Sequence, residues 1–194
     1  MAGLATDRFA MVQVNSIAQL HEWLAAHHTQ TESVWLVTFK KSVPDKFVSA
    51  QDILDAVIAF GWIDGLRRKL DDDRTMQLIA PRQTQAWAKS YKDRAEKLIM
   101  QGRMTEAGLR SIIASKESGL WDYWADVDAG ILPDDLQSAL TQQAPAAANF
   151  ANSAPSYQRN LLRWLKSAKT APTRDKRIQQ IVDHAARNDK IPQM

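Results

Sequence analysis

The sequence predicts an α+β protein, with a small three-stranded sheet and helices in the N-terminal half and an all-helical C-terminal half. Three observations predict it. A β-branched and aromatic run stands at residues 34–39. Two strand-like segments flank the acidic turn Asp71-Asp72-Asp73. From Thr84 onward the strand signals vanish, and glycines and prolines divide the chain into helix-length pieces. The 194 residues are 45% apolar and 24% charged, enough to bury a core without staples.

The elements follow in order. Asn15-Ser16 precedes Ile17, Leu20, Trp23 and Leu24, a capped helix with one apolar face. Val34-Trp35-Leu36-Val37-Thr38-Phe39 is the first strand, and the segment to Lys46, with Pro44, is a loop. Ser49-Ala50-Gln51-Asp52 resembles a capping box and opens a helix through Phe60, which Gly61 ends. Trp62 to Leu70 and Arg74 to Ala80 form a hairpin stopped by Pro81. Helices are predicted at about 84–101, 105–117, 133–143, 156–169 and 173–187. The softest boundary lies around Pro145–Pro155, which divides the chain into an α+β core domain, 1–150, and a basic helical segment, 151–194, expected to pack on it.

Composition excludes several chemistries. Without cysteine there are no disulfides, thiolate metal sites or cysteine nucleophile, which suits a reducing compartment. No HExxH, P-loop, GxGxxG or GxSxG run occurs, so no metal or cofactor is implied and no standard catalytic signature is present. The acidic triple reads as an exposed turn rather than a cation loop. Residues 1–8 lack the features of a signal peptide, and no apolar run reaches membrane-spanning length, so the expectation is a soluble cytoplasmic protein without membrane insertion. The net charge of +3 is unevenly spread. Residues 101–154 carry three basic and seven acidic side chains, and residues 155–194 carry nine and three. That asymmetry fits either an anionic partner or complementarity within the chain.

The candidate site residues come from polar groups on apolar faces. On a continuous strand from Trp62, the side chains of Trp62, Asp64, Leu66 and Leu70 share a face, which puts a carboxylate on the apolar side. A bulge at Gly65 would re-aim it. Asp64 is therefore expected to be largely buried and bonded to an arginine or to backbone N–H groups. Trp87, Tyr91, Arg94, Ala95 and Leu98 fall in one helical stripe, and Arg82 precedes that helix. Trp62, Asp64, Arg82, Trp87 and Arg94 thus define either a cleft for an anionic or planar ligand or a structural bridge from hairpin to helix, the bridge being preferred. Arg94 is expected to be the structural member and Arg82 the displayed one. Trp23, Trp35 and Trp164 read as core; Trp121, Tyr123 and Trp124 read as packing beneath the acidic helix or as an exposed patch. Arg174 and Arg177, at a helix N-terminus, are anion-binding candidates or partners of acids such as Asp122 or Asp135. The stripe Arg159-Arg163-Lys166 reads as a solvated face rather than a nucleic-acid contact.

An ordered set of short motifs carries a resemblance. It comprises Phe60-Gly61-Trp62-Ile63-Asp64-Gly65, Pro81-Arg82, Trp87, Gly102-Arg103-Met104-Thr105 with Gly108, then Gly119 and Trp121-Asp122. Pro133 with Asp135-Leu136, Ala168-Lys169, and Thr173-Arg174 with Arg177-Ile178 complete it. From about the first helix to the last, the chain resembles the bacterial YdeI/OmpD-associated family, also labelled bacteriocin-protection proteins. The resemblance implies association with an outer-membrane porin and tolerance of antimicrobial peptides, with no defined reaction or ligand. There are two departures: Trp87-Ala88-Lys89-Ser90-Tyr91 replaces a WSxxN-like run, and Pro172 stands where the family has Glu. The reading is a binding or stress-tolerance protein with a small anionic ligand or a protein partner, in an oligomeric state the sequence does not define. One alternative is an enzyme on a small anionic substrate, with Asp64 as base and Arg82 or Arg94 as clamp. The other is a weak nucleic-acid binder through the basic tail.

Overall fold

The computed structural model describes residues 8–192. Residues 1–7, most of the segment read as carrying no leader, lie outside the described residues, as do residues 193 and 194. The chain divides into two compact units, one ending at Asp122 and the other beginning at Tyr123.

The N-terminal unit holds a four-stranded sheet, one strand more than the sequence predicts. Its elements are β1 (Met11–Gln13), α1 (Ile17–His27), β2 (Val34–Phe39), α2 (Ala50–Ala59), β3 (Trp62–Lys69), β4 (Arg74–Pro81), α3 (Lys89–Met100) and α4 (Glu106–Glu117). The sheet order is β1-β2-β4-β3, with β1 and β2 parallel and the other pairs antiparallel. β1 escapes the sequence pattern because three residues carry too little alternation. Its pairing supplies the definition, with Trp35 N–H donating to Ala10 O (2.9 Å) and Val14 N–H to Val37 O (3.1 Å). Helix α1 is the crossover that parallel pairing needs.

Strand alternation sorts the side chains. Val34 and Leu36 of β2, Ile79 of β4 and Trp62 of β3 pack with Leu20 and Leu24 of α1 and Ile53, Ala56 and Val57 of α2. Trp35, Val37 and Met76 fill the opposite face with Phe9, Leu70 and Leu78. Register breaks in β3: Asp64 lies opposite Ile79, and Arg67, three residues on, lies opposite Gln77, two residues back. This bulge corrects the expected continuous face. Leu66 is turned out and half exposed, Leu70 joins the opposite face, and Arg67 takes the place beside Asp64 on the helix side.

Helices α2 and α4 clasp tightly. Gly61 adopts φ +76° after α2, and a Cβ on Gly108 would lie 2.3 Å from Ala59 O. Thr105 caps α4 through Gly108 N–H (3.3 Å) and donates its hydroxyl to Ala59 O (2.6 Å). Three residues of the front motif set are thus explained by packing.

α3 begins five residues later than predicted. Residues 83–88 are held outside the helix, with Trp87 N–H donating to Leu120 O (3.0 Å). Trp87 therefore precedes the helix instead of lying on its stripe.

The second unit contains α5 (Ala125–Asp128), α6 (Asp134–Thr141), α7 (Ala144–Asn152), α8 (Pro155–Lys166) and α9 (Ala171–Ala186). Around one core pack Leu136 and Leu140 of α6, Phe150 of α7, Leu161 and Leu165 of α8, and Ile178, Ile181 and Val182 of α9. The sequence misses α7, having read Pro145–Pro155 as a boundary. Pro145 occupies the first turn, where its missing N–H costs no hydrogen bond, and the alanines that follow are strong helix formers. Among the described residues no helix is long and apolar enough to cross a membrane.

Candidate functional site

Three polar side chains of the sheet and one of α3 form one chain of hydrogen bonds. Tyr91 of α3 donates its hydroxyl to Asp64 Oδ1. Gln77 of β4 donates Nε2 to Asp64 Oδ2 at 2.9 Å and accepts from Arg67 Nη2 at 2.6 Å. Asp64 is thus half-buried, and its partners are a phenol and an amide. Among the described residues no arginine takes up the expected bond, because the bulge directs the carboxylate across to Tyr91 and Gln77.

Arg82 lies one layer deeper. Its guanidinium sits 4.0 Å above the Trp87 ring and 5.5 Å from the Tyr91 ring. Nη1 donates to Gln85 O (3.1 Å), and the buried Nε has no hydrogen-bond partner among the described residues. Only 8% of the residue is exposed. Burial lowers the Arg82 pKa to about 10, against the favourable charges of Tyr91 and Asp64. Burial also pushes the Tyr91 phenol well above its ordinary value, and its bond to Asp64 adds to the rise. Trp87 is 1% exposed, and its indole N–H donates to Ser115 Oγ (2.9 Å). Trp62 is core, edge-on to Trp23 at 5.5 Å.

Arg94 joins a different group. It donates to Asp55 and Gln51 of α2, and Arg103 reaches the other Asp55 oxygen at 3.2 Å. Its bridge therefore runs from α3 to α2 instead of to the hairpin. The expected roles also shift: Arg82 is the buried member, and Arg94 the more exposed one, with 26% of its side chain open. The geometry brings Asp64, Arg82 and Trp87 together around Tyr91, leaving Trp62 in the core and Arg94 on its own ion pair.

Arg67 leads from this network to a cleft of about 510 Å3 at the end of the sheet. Lys40, Lys41, Arg67, Ser49, Phe47 and Thr75 are among its lining residues, and no Asp or Glu is. Lys40 Nζ donates to the carbonyls of Asp71 (2.7 Å) and Asp72 (2.8 Å), and Lys41 sits 5.9 Å from the Phe47 ring. Among the described residues, none of these three cations pairs with a carboxylate. The α2 N-terminus beside them is already satisfied, because Ser49 Oγ accepts from Asp52 N–H (3.1 Å) and donates to the Asp52 carboxylate (2.7 Å). Sequence reading missed Gln77, Arg67, Lys40 and Lys41. Gln77 carried a faint signal, a polar residue in phase with Ile79. Arg67 carried none, since its face depends on the bulge.

The acidic turn folds on itself. Asp71 accepts from the backbone N–H of Asp73 (3.0 Å) and Arg74 (2.7 Å). Among the described residues no group of three His, Asp or Glu could hold a metal ion.

In the second unit, Arg174 makes a two-pronged pair with Asp135 (2.6 and 2.9 Å), which holds the Asp135 carboxyl below its ordinary range. Arg177 donates to Trp164 O and to Ser167 Oγ (2.9 Å), closing the end of α8. Arg163 pairs with Asp128 (3.0 Å) and Lys166 with Asp126 (2.6 Å). The aromatic trio separates: Trp121 lies against Trp87 at 4.9 Å, while Trp124 packs on the second unit's core beside a partly exposed Tyr123.

This architecture defines an α+β protein with a sheet-end basic cleft in its first unit and a helical second unit. Residues 12–111, just over half of the chain, match the model described as a domain of unknown function (DUF8412), and the chain belongs to that family. Residues 129–188 match the model described as Bacteriocin-protection, YdeI or OmpD-Associated, the family the sequence resembles. That match is confined to the second unit, whereas the resemblance of the motifs spans nearly the whole chain. The front motifs, from Phe60 to Gly108, fall in the other model. No curated protein and no solved structure matches the chain.

Proposed function

We propose that the protein is a binding protein whose N-terminal unit holds a small oxyanion, such as a phosphate or carboxylate group, in the cleft between β2, the start of α2 and β3. The observation that carries this reading is that three cations line the cleft while no carboxylate does. An anion entering it completes charges that meet no carboxylate among the described residues. Arg67 has its fork pre-oriented by the Gln77–Asp64–Tyr91 chain, which lowers the ordering cost of binding. A catalytic role for Asp64 is less well supported, because hydrogen bonds occupy both of its oxygens. A nucleic-acid role for the basic tail is likewise less well supported, since Arg163 and Lys166 are paired with acids. The bacteriocin-protection description of the second unit's family fits a protective binding role exerted from the cytoplasm.

Isothermal titration of the intact chain with inorganic phosphate and pyrophosphate at low ionic strength tests the reading. One saturable site is expected. Arg67→Ala should weaken it about tenfold, a loss of about 1.4 kcal/mol, and added sodium chloride should weaken it further by screening. Absence of a saturable signal, or unchanged affinity in Arg67→Ala and Lys41→Ala alike, would overturn it.

A further inference from the structure

The second unit contains a cavity unrelated to the basic cleft. It measures about 210 Å3 and lies where α7, α8 and the end of α9 converge. Phe150, Leu161 and Ile181 form its apolar wall, and the small Ala154 and Ala185 leave the space open. Ala185 continues the inward stripe of Ile178, Ile181 and Val182, so a larger apolar residue there would fill the hole.

The chain closes the remaining side by reversing after α9. Asn188 takes φ 54°, a conformation asparagine tolerates better than most residues. Asp189 N–H then donates to His184 O (3.0 Å), and Ile191 N–H donates to the Tyr157 hydroxyl (2.9 Å). This reversal brings Asp189 and Lys190 to the rim.

The rim charges are unequal in commitment. The Asp189 carboxylate is engaged by His184 (2.5 Å) and Arg187 (3.2 Å). The other polar rim groups are also occupied, Asn149 by Ala185 O (2.8 Å) and Ser153 by Phe150 O (2.7 Å). Lys190 pairs with no carboxylate among the described residues and stands 5.7 Å from the Tyr157 ring.

An apolar cavity of about 150 Å3 stays dry and accepts benzene. The present one has room for such a ring and a short substituent. We infer that it is a binding site for a small aromatic carboxylic acid, with the ring against Phe150, Leu161 and Ile181 and the carboxylate directed to Lys190. The ligand is set apart from the inorganic oxyanion of the N-terminal cleft by the ring it would place against Phe150, Leu161 and Ile181.

Titration of the intact chain with phenylacetate, toluene and benzylamine, followed by 1H–15N chemical-shift changes, tests the inference. Phenylacetate is expected to shift the amides of Tyr157, Ala185 and Lys190 saturably. It should bind about two- to fivefold more tightly than benzylamine, the ratio an exposed charge pair supplies. Ala185→Leu should abolish binding of all three probes. Ala154→Val, which narrows the cavity from the α8 side, serves the same purpose if the first variant does not fold. Lys190→Gln should remove the preference for the acid and leave toluene binding intact. No saturable shift with phenylacetate, equal affinity for acid and amine, or full binding in the filled variants would each overturn the inference.

Discussion

Two groups of cations, one in each unit, are held in different ways. In the second unit Arg163, Lys166 and Arg174 each meet, within 3.0 Å, a carboxylate of the acidic segment that precedes the basic tail. In the N-terminal unit Arg82 rests on aromatic rings and a carbonyl, Arg67 on an amide, and Lys40 on two carbonyls. The local charge excess of residues 155–194 therefore does not mark where the cleft cations without a carboxylate lie. Regional net charge reports complementarity within a unit. Functional charge is identified by which partners are neutral.

The largest expected effect tests the wall beneath Arg82. Trp87→Ala removes a buried indole, its bond to Ser115 and the surface under the guanidinium, and should cost about 3–5 kcal/mol in urea denaturation. A loss below about 1 kcal/mol would mean that Arg82 is not held by packing.

Next, the two units are compared through matched acids. Asp64→Ala leaves the Tyr91 hydroxyl and the Gln77 amide without their acceptor and removes a charge favourable to Arg82. It should cost about 2–3 kcal/mol. Asp135→Ala, on a half-exposed pair, should cost about 0.5 kcal/mol. Equal losses would break the contrast.

Alkaline pH sharpens it further. The folded Tyr91 phenol is raised by burial and then by its bond to Asp64, so the unfolded phenol ionises first, near pH 10. Its stabilising contribution is complete below that pH and is lost as pH rises toward the folded value. Arg82 acts oppositely. Its folded pKa, lowered by burial to about 10, lies below the unfolded one, so stability rises as pH climbs past about 10. In Tyr91→Phe only the rising contribution is left, and melting temperatures between pH 9 and 11 should fall less steeply than in the parent chain. Parallel curves would show that Tyr91 is not the late-ionising phenol.

The smallest effect is acidic. Arg174 holds the Asp135 carboxyl low, so the pair's contribution is present above about pH 4, where the unfolded carboxyl is ionised, and is lost as pH falls through the folded value. Arg174→Ala should flatten that part of the acid limb by about 0.5 kcal/mol, measured between pH 5 and 2. An unchanged limb would mean solvent screens the pair completely.

The sequence by itself determined what local chemistry controls. Ser16 and Ser49 as caps, Gly61 as a helix stop, the 34–39 strand, the hairpin around the acidic turn and the apolar stripes of α8 and α9 all follow from spacing and residue type. It also aimed Asp64 and Arg82 at one interior, Asp64 from an apolar strand face and Arg82 from the exit of the hairpin. Their partners were decided by the tertiary structure. The bulge between Asp64 and Arg67 changes which residues share a face, and alternation cannot reveal a register shift fixed by the opposing strand. Trp87 binds Leu120 O instead of continuing α3, and Arg94 turns to Asp55, since those choices depend on where α2 and α4 come to rest. β1 exists because β2 offers it an edge, and α7 because Ala146 and Phe150 bury in the core with α6, α8 and α9. Propensity and periodicity act over a few residues. The energies that selected these partners arise from contacts between residues far apart in the chain, which a local pattern does not contain.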